Sequence, residues 1–290
     1  MVNTNGIRIA KDENFVKRLA TYAPDFEIYL QFDSFKKEAL EQLRGEDLRE
    51  VRIKALEHLN KYNLSTTLVV TLQKGLNTDE IGKIIEYALQ QPCVRGVTFQ
   101  PTQQAGRLDN FNPQTDRYTL TEVRSAMLEQ TDIFNANDLI PVPCNPDALV
   151  MGYALKLGGQ VFPLTRMINP DDLLDNSKNT IVYEQDEQLK MHLLNMFSTG
   201  NSVDKAKEHL ASIMCCLPEI DAPGLSYDNL FRVIIMQFID AQNFDVRAIK
   251  KSCVHIVNKD MKIIPFETMN VFYRDDKAEY LEELRNEINV

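Results

Sequence analysis

Ser65 to Leu72, STTLVVTL, is almost wholly β-branched or apolar and has no polar face. A short run of that kind fits a strand buried on both sides. Phe26 to Phe32, FEIYLQF, a short aromatic and β-branched run, is a second candidate strand. Val94 to Gln100, entered through Arg95-Gly96, is a third, and Leu139 to Val142, ending in prolines, is a fourth. Helical spacing fills the intervals. It covers Phe35 to Lys61, then Thr78 to about Gln90, with Thr78 as N-cap ahead of Asp79 and Glu80, then Thr119 to Thr131. Lys74-Gly75-Leu76-Asn77 is turn chemistry. The order β-α-β-α-β-α-β leaves crossovers long enough for parallel pairing. It predicts a βα barrel or an open parallel sheet, and in either the ligand sits at the carboxyl ends of the strands. Those tips are Gln31 to Ser34, Thr71 to Gly75, Gln100 to Arg107 and Pro141 to Asp147.

The pattern changes near Pro146, which suggests a division into residues 1–146 and 147–290. Beyond it, Ala148 to Leu157, Gln188 to Phe197, Val203 to Cys216 and Leu230 to Ala241 carry helical spacing. Cys253 to Val257 and Lys262 to Phe266 read as a hairpin around Asn258-Lys259-Asp260-Met261, and Lys277 to Ile288 as a charged terminal helix. The expected fold class is α/β: an incomplete (βα) barrel followed by a mainly helical extension with a small hairpin.

Charge narrows the function. Thirty-two basic against forty-two acidic residues give a net charge of −10. That argues against nonspecific nucleic-acid binding, which needs a basic face. No apolar stretch reaches the roughly 18 residues of a spanning helix. The N-terminus, MVNTNGIRIA, has neither a charged nor an apolar region of a secretory signal, so the expected location is cytoplasmic. The five cysteines are Cys93, Cys144, Cys215, Cys216 and Cys253, with no CxxC or CxxxCxxC. An odd count without a signal does not read as a disulfide framework.

Several residues carry chemistry, each with a plainer alternative. Gln100 ends a strand and opens the stretch Pro101 to Arg107, rich in amides. Gln100 could hydrogen-bond a polar ligand and Arg107 could pair a carboxylate; the alternative is a surface loop. Asp33 could orient a ligand hydroxyl or amine, or cap the helix that follows. Cys144, Cys216 and Cys253 could supply an iron–sulfur site, with Cys253 and His255 on one strand face; the alternative is buried structural thiols. Cys93, between a helix and a strand, reads as packing. No P-loop, GxGxxG or HExxH is present.

Taken in order, these segments resemble one family. Val2 to Ala10, VNTNGIRIA, looks like the end of the third barrel strand of radical S-adenosylmethionine (SAM) enzymes. Tyr29 to Ser34 with Leu43 to Leu48 resembles the fourth strand and its helix. Gly75-Leu76-Asn77-Thr78-Asp79-Glu80-Ile81-Gly82 is similar to the G-x-N-x-x-E-I turn after the fifth, and Arg95 to Arg107 resembles the sixth. Pro141 to Asp147, Met214 to Pro218, Phe231 to Asn243, Lys251 to His255 and Ile264 to Arg274 resemble one branch, that of tetraether lipid synthases and methanopterin C-methylases.

The resemblance implies a 4Fe-4S cluster that reduces SAM to a 5′-deoxyadenosyl radical. C–H activation and carbon–carbon bond formation or methylation follow on a lipid- or pterin-like small molecule. It also implies a reductant such as ferredoxin or flavodoxin and an auxiliary iron–sulfur centre. By the same resemblance Gln31, Asp33, Thr71, Gln100 and Arg107 would face SAM or substrate, and Cys144, Cys216 and Cys253 would bind auxiliary iron. The CxxxCxxC loop of the family is absent from the sequence, so the chain is expected to correspond to the C-terminal part of such an enzyme. The missing strands would then be encoded in frame upstream or supplied by another chain. The alternative is a catalytically inactive binding or scaffold protein derived from the family.

Overall fold

The computed structural model describes residues 1–23, 26–104, 111–142, 145–157, 159–166, 227–252 and 254–274, with Glu279, Glu283 and Glu287. In its first half strands and helices alternate as the hydrophobic pattern requires. β1 (Val2–Thr4) leads to α1 (Ile7–Lys11) and α2 (Glu13–Ala20), then β2 (Ile28–Gln31). The charged segment after β2 folds as two helices, α3 (Lys37–Arg44) and α4 (Arg49–Lys61). Gly45, at φ 85°, closes α3 in the left-handed conformation that glycine adopts without steric cost. β3 (Thr66–Leu72) follows, then a single 3-10 turn (Thr78–Glu80), α5 (Ile81–Leu89) and β4 (Val94–Pro101). α6 (Leu120–Gln130) starts at a capping box. The Thr119 hydroxyl accepts from the Glu122 amide at 3.2 Å, and the Glu122 carboxylate accepts from the Thr119 amide at 2.7 Å.

β5 (Ile140–Pro141), β6 (Leu149–Leu157), β7 (Gln160–Pro163) and β8 (Leu230–Met236) complete the main sheet. α7 (Val246–Ile249) precedes the antiparallel hairpin of β9 (His255–Val257) and β10 (Ile263–Pro265), and α8 (Phe266–Phe272) follows it. The hairpin lies where the sequence places it. The sequence-expected helices Gln188 to Phe197 and Val203 to Cys216 lie outside the described residues, as does most of Lys277 to Ile288.

The fold is mixed α/β with a mostly parallel sheet. β1, β2, β3, β4 and β8 pair in that order, each parallel to the next. β8 then pairs antiparallel with β6, which also pairs antiparallel with β5 and β7. Among the described residues, one sheet of eight strands therefore takes residues from both sides of Pro146.

Three sequence expectations need correction. Leu139 to Val142 is not the fourth parallel strand; its described core, β5, is a short antiparallel strand at the far edge. The parallel neighbour of β4 is β8, inside the segment expected to be the helix Leu230 to Ala241. Ala148 to Leu157, also expected to be helical, is strand β6. The physical reason is shared. Both segments are apolar at almost every position because both faces of the strand are buried, and such runs satisfy helical spacing as well as strand spacing. β-branched Val233, Ile234 and Ile235 favour the extended form. The extension is thus not mainly helical among its described residues.

Alternation along the parallel strands sorts the sheet into two faces. Ile28, Leu30, Leu68, Val70, Leu72, Val97, Phe99, Val233 and Ile235 join one hydrophobic core with α4, α5 and α6. The opposite face carries Tyr29, Gln31, Thr67, Val69, Thr71, Thr98, Gln100, Arg232 and Ile234. Gly96 lets β8 come close. A Cβ there would stand 2.5 Å from the Arg232 carbonyl oxygen.

Candidate functional site

The carboxyl ends of β2, β3, β4 and β8 lie together at one end of the sheet. Because β6 runs antiparallel to β8, its amino end lies there too: the Gln237 amide donates to the Ala148 carbonyl at 2.8 Å. This end therefore gathers Gln31 and Asp33, Thr71 and Asn77, Gln100 and Gln103, Gln237 and Asp240, and Asn145.

Asp33 is fully buried and sits at φ 62°, in the left-handed region that aspartate enters more readily than most non-glycine residues. Its carboxylate accepts from Arg44 Nε and Nη2 and from Arg52 Nη2, each at 2.8 Å, and from the Thr71 amide at 3.0 Å. A carboxylate has about four acceptor positions, and these four donors fill them. Asp33 does not cap α3: the N-cap position is Lys36, without a side-chain cap. Arg52 is buried with Asp33 and also donates to the Gln31 carbonyl at 2.8 Å. Burial holds the Arg52 pKa below the usual arginine range, while the Asp33 hydrogen bonds raise that of Arg44. Arg44 stays 24% exposed and donates to the Thr71 hydroxyl at 2.9 Å, so a fixed cation stands at the tip of β3.

The G-x-N-x-x-E-I turn explains itself beside this cluster. Gly75 takes φ 75°. The buried Asn77 amide donates to the carbonyls of Asp33 and Thr71 at 2.9 and 2.8 Å, and its oxygen accepts from the Gln73 amide at 2.9 Å. Glu80 reaches back to accept from the Ser34 hydroxyl and the Phe35 amide. The motif stitches the tips of β2 and β3 together.

Asp240 does the same for β4 and β8. Fully buried, it accepts from Arg117 Nη2 at 2.8 Å on both oxygens. It also accepts from the amides of Gln104 at 3.0 Å, Gln242 at 2.9 Å and Asn243 at 3.2 Å. Between these two clamps the amides are in a different condition. Gln103, only 7% exposed, has neither side-chain oxygen nor nitrogen hydrogen-bonded. The Asn145 oxygen and the Thr98 hydroxyl are likewise buried without partners. Gln31 and Gln100 are half-buried. Thr71 and Gln100 are direct register partners, and Gln31 pairs with Val69 on the same face.

The chain is similar to the 7,8-dihydro-6-hydroxymethylpterin dimethyltransferase of Methanocaldococcus jannaschii. The two are 29% identical over an alignment 317 positions long that covers 95% of this chain. The chain spans 62% of the length of that relative. No protein-family model matches the chain.

Of the residues singled out from sequence, Gln31, Asp33, Thr71 and Gln100 are brought to one end of the sheet, while Arg107, Cys144, Cys216 and Cys253 lie outside the described residues. Cys93 is buried in the core, and burial pushes its thiol up to about 11, as suits a packing role. Among the described residues no group of three or more His, Cys, Asp or Glu side chains could hold a metal ion, and no helix is long and apolar enough to cross a membrane. Sequence reading passed over Arg44, Arg52 and Asp240. Arg44 and Asp240 lie in segments that carry the family resemblance, Leu43 to Leu48 and Phe231 to Asn243, but no local pattern gives any of the three a role.

Proposed function

We propose that the chain is the substrate-binding part of a radical SAM enzyme that methylates a pterin, with the ligand at the carboxyl ends of β2, β3, β4 and β8. The observation that carries this reading is the set of buried, unpartnered amides and hydroxyl at that end, in a sheet whose first strands match the order of the family's motifs. A packed interior rarely leaves such atoms unpaired, because each costs about 1–3 kcal/mol. A planar, nitrogen-rich ring supplies the donors and acceptors they lack, whereas a lipid chain does not. The relative named for a pterin substrate supports the same choice.

In this reading Gln31, Thr71 and Gln100 face the ligand, and Asp33 acts from behind by fixing Arg44 and the Thr71 backbone. Arg44 offers its exposed guanidinium edge to an anionic group of cofactor or substrate. SAM would be the source of the 5′-deoxyadenosyl radical that the family uses. The 4Fe-4S cluster of the family is a different matter. The sequence has no CxxxCxxC, and the described residues offer no metal-binding group, so they do not fit the cluster. What the described residues supply is binding and orientation.

The test is equilibrium dialysis of the purified chain against 7,8-dihydro-6-hydroxymethylpterin. Saturable binding is expected. No saturable binding of that pterin contradicts the reading.

A further inference from the structure

Gln103 is held in place without using its own side chain. The amide of Thr102 donates to the Leu72 carbonyl at 2.8 Å, tying one neighbour to the tip of β3. The amide of Gln104 donates to Asp240 at 3.0 Å, tying the other to the tip of β8. The Gln104 side-chain oxygen accepts from Gln242 Nε2 at 3.0 Å, a second tie to that strand's exit. The Gln103 side chain between them is 93% removed from solvent by its 7% exposure, and its carboxamide oxygen and nitrogen have no hydrogen-bond partner. A glutamine carboxamide presents one acceptor and one donor side by side. Left unpaired in a dry interior, the pair is costly, and an apolar residue of the same volume would be more stable there.

We infer that Gln103 is a specificity-determining residue that reads the amide-like edge of a pyrimidinone ring, the half of a pterin carrying adjacent ring nitrogen, carbonyl and amino groups. This rests on the pterin reading above and names the residue that makes the choice. The carboxamide meets a neighbouring donor and acceptor on the ring in the same bidentate way in which Gln and Asn side chains read adenine. The Asn145 oxygen, at the same end of the sheet through β6, the Thr98 hydroxyl, on the face shared with Gln100, and Arg52 Nη1 are further buried polar atoms without partners there. A site built to hydrogen-bond a ring edge rejects analogues that lack it far more strongly than an apolar slot does, because the buried group is then left unpaired.

The experiment is equilibrium binding of 7,8-dihydro-6-hydroxymethylpterin to the intact chain, read by pterin fluorescence, for wild type, Gln103→Leu and Gln103→Glu. The Tm of each is measured without ligand. Gln103→Leu should keep or raise the Tm and weaken binding by about tenfold or more. Gln103→Glu, which keeps the shape but loses the donor, should weaken it comparably, and it carries the test should the leucine variant not fold. If a folded variant binds as tightly as wild type, the role of Gln103 is overturned while the pterin reading stands. If wild type itself does not bind the pterin, both fall together.

Discussion

Asp33 and Gln103 stand just past the carboxyl ends of β2 and β4, with β3 between them, and both are buried. Asp33 has every acceptor position filled by Arg44, Arg52 and Thr71. Gln103 has none of its side-chain atoms paired. The difference teaches how to divide the polar residues of this end of the sheet. A saturated carboxylate has nothing left to offer a ligand, so its work is to hold neighbours in place. An unsaturated amide is a loss to the folded chain alone, recovered only when something else pairs with it. Asp240 belongs with Asp33, and Asn145 and Thr98 belong with Gln103.

The sharpest way to break this comparison is to remove Asp33. Asp33→Ala strands the Arg52 guanidinium, which is 1% exposed, and should cost about 3–5 kcal/mol of stability in urea denaturation, with or without ligand. A loss under about 1 kcal/mol would mean the cluster relaxes and Asp33 is not a clamp. Asp240→Ala should cost less, about 1.5–3 kcal/mol, because Arg117 is 17% exposed and can turn toward water. The discriminating sign is that Gln103→Leu should move the other way, stabilising the ligand-free chain by about 1–3 kcal/mol in the same denaturation series. A destabilisation of similar size would place Gln103 with Asp33.

The opposite end of the sheet offers a smaller, pH-dependent contrast. Lys156 donates to the Val94 carbonyl at 2.9 Å, and burial, with Arg95 nearby, lowers its pKa to about 8. The unfolded chain therefore keeps that proton over a range where the folded chain has lost it. Stability from this group rises with pH from about 8 toward the ordinary lysine range of about 10.4. Lys156→Met removes the penalty. Its stability relative to wild type should be highest near neutral pH and shrink toward about pH 10. A difference that does not change with pH would show that Lys156 titrates as an exposed lysine does.

Much of this was legible in the chain. The runs that became β2, β3 and β4 announce themselves because β-branched, aromatic and other apolar residues are concentrated in them, and the helical spacing from Thr119 announces α6. The hairpin of β9 and β10 is marked by its turn residues. β6 and β8 were not legible as strands, since burial on both faces erases the alternation that separates strand from helix. At the site, Gln31, Thr71 and Gln100 follow from a rule about strand ends. Asp33 could be noticed but not understood, because its partners Arg44 and Arg52 come from helices that the strand order alone does not position. The clamp role of Asp240 is not legible, since two of its donors, Gln104 and Arg117, are distant in sequence. Gln103 lies within the amide-rich stretch that stands out by composition. Its unpaired state is a property of packing and is visible only in three dimensions.

The measurement that bears most directly on the division is the rise in Tm produced by saturating 7,8-dihydro-6-hydroxymethylpterin in wild type and Gln103→Leu. A ligand that binds only the folded state raises stability by about 2.7 kcal/mol at a hundredfold excess over its Kd. The account predicts a clear rise for wild type. For Gln103→Leu it predicts a higher starting Tm with a rise reduced to a small fraction. A variant that starts lower than wild type and still shows the full rise would contradict it.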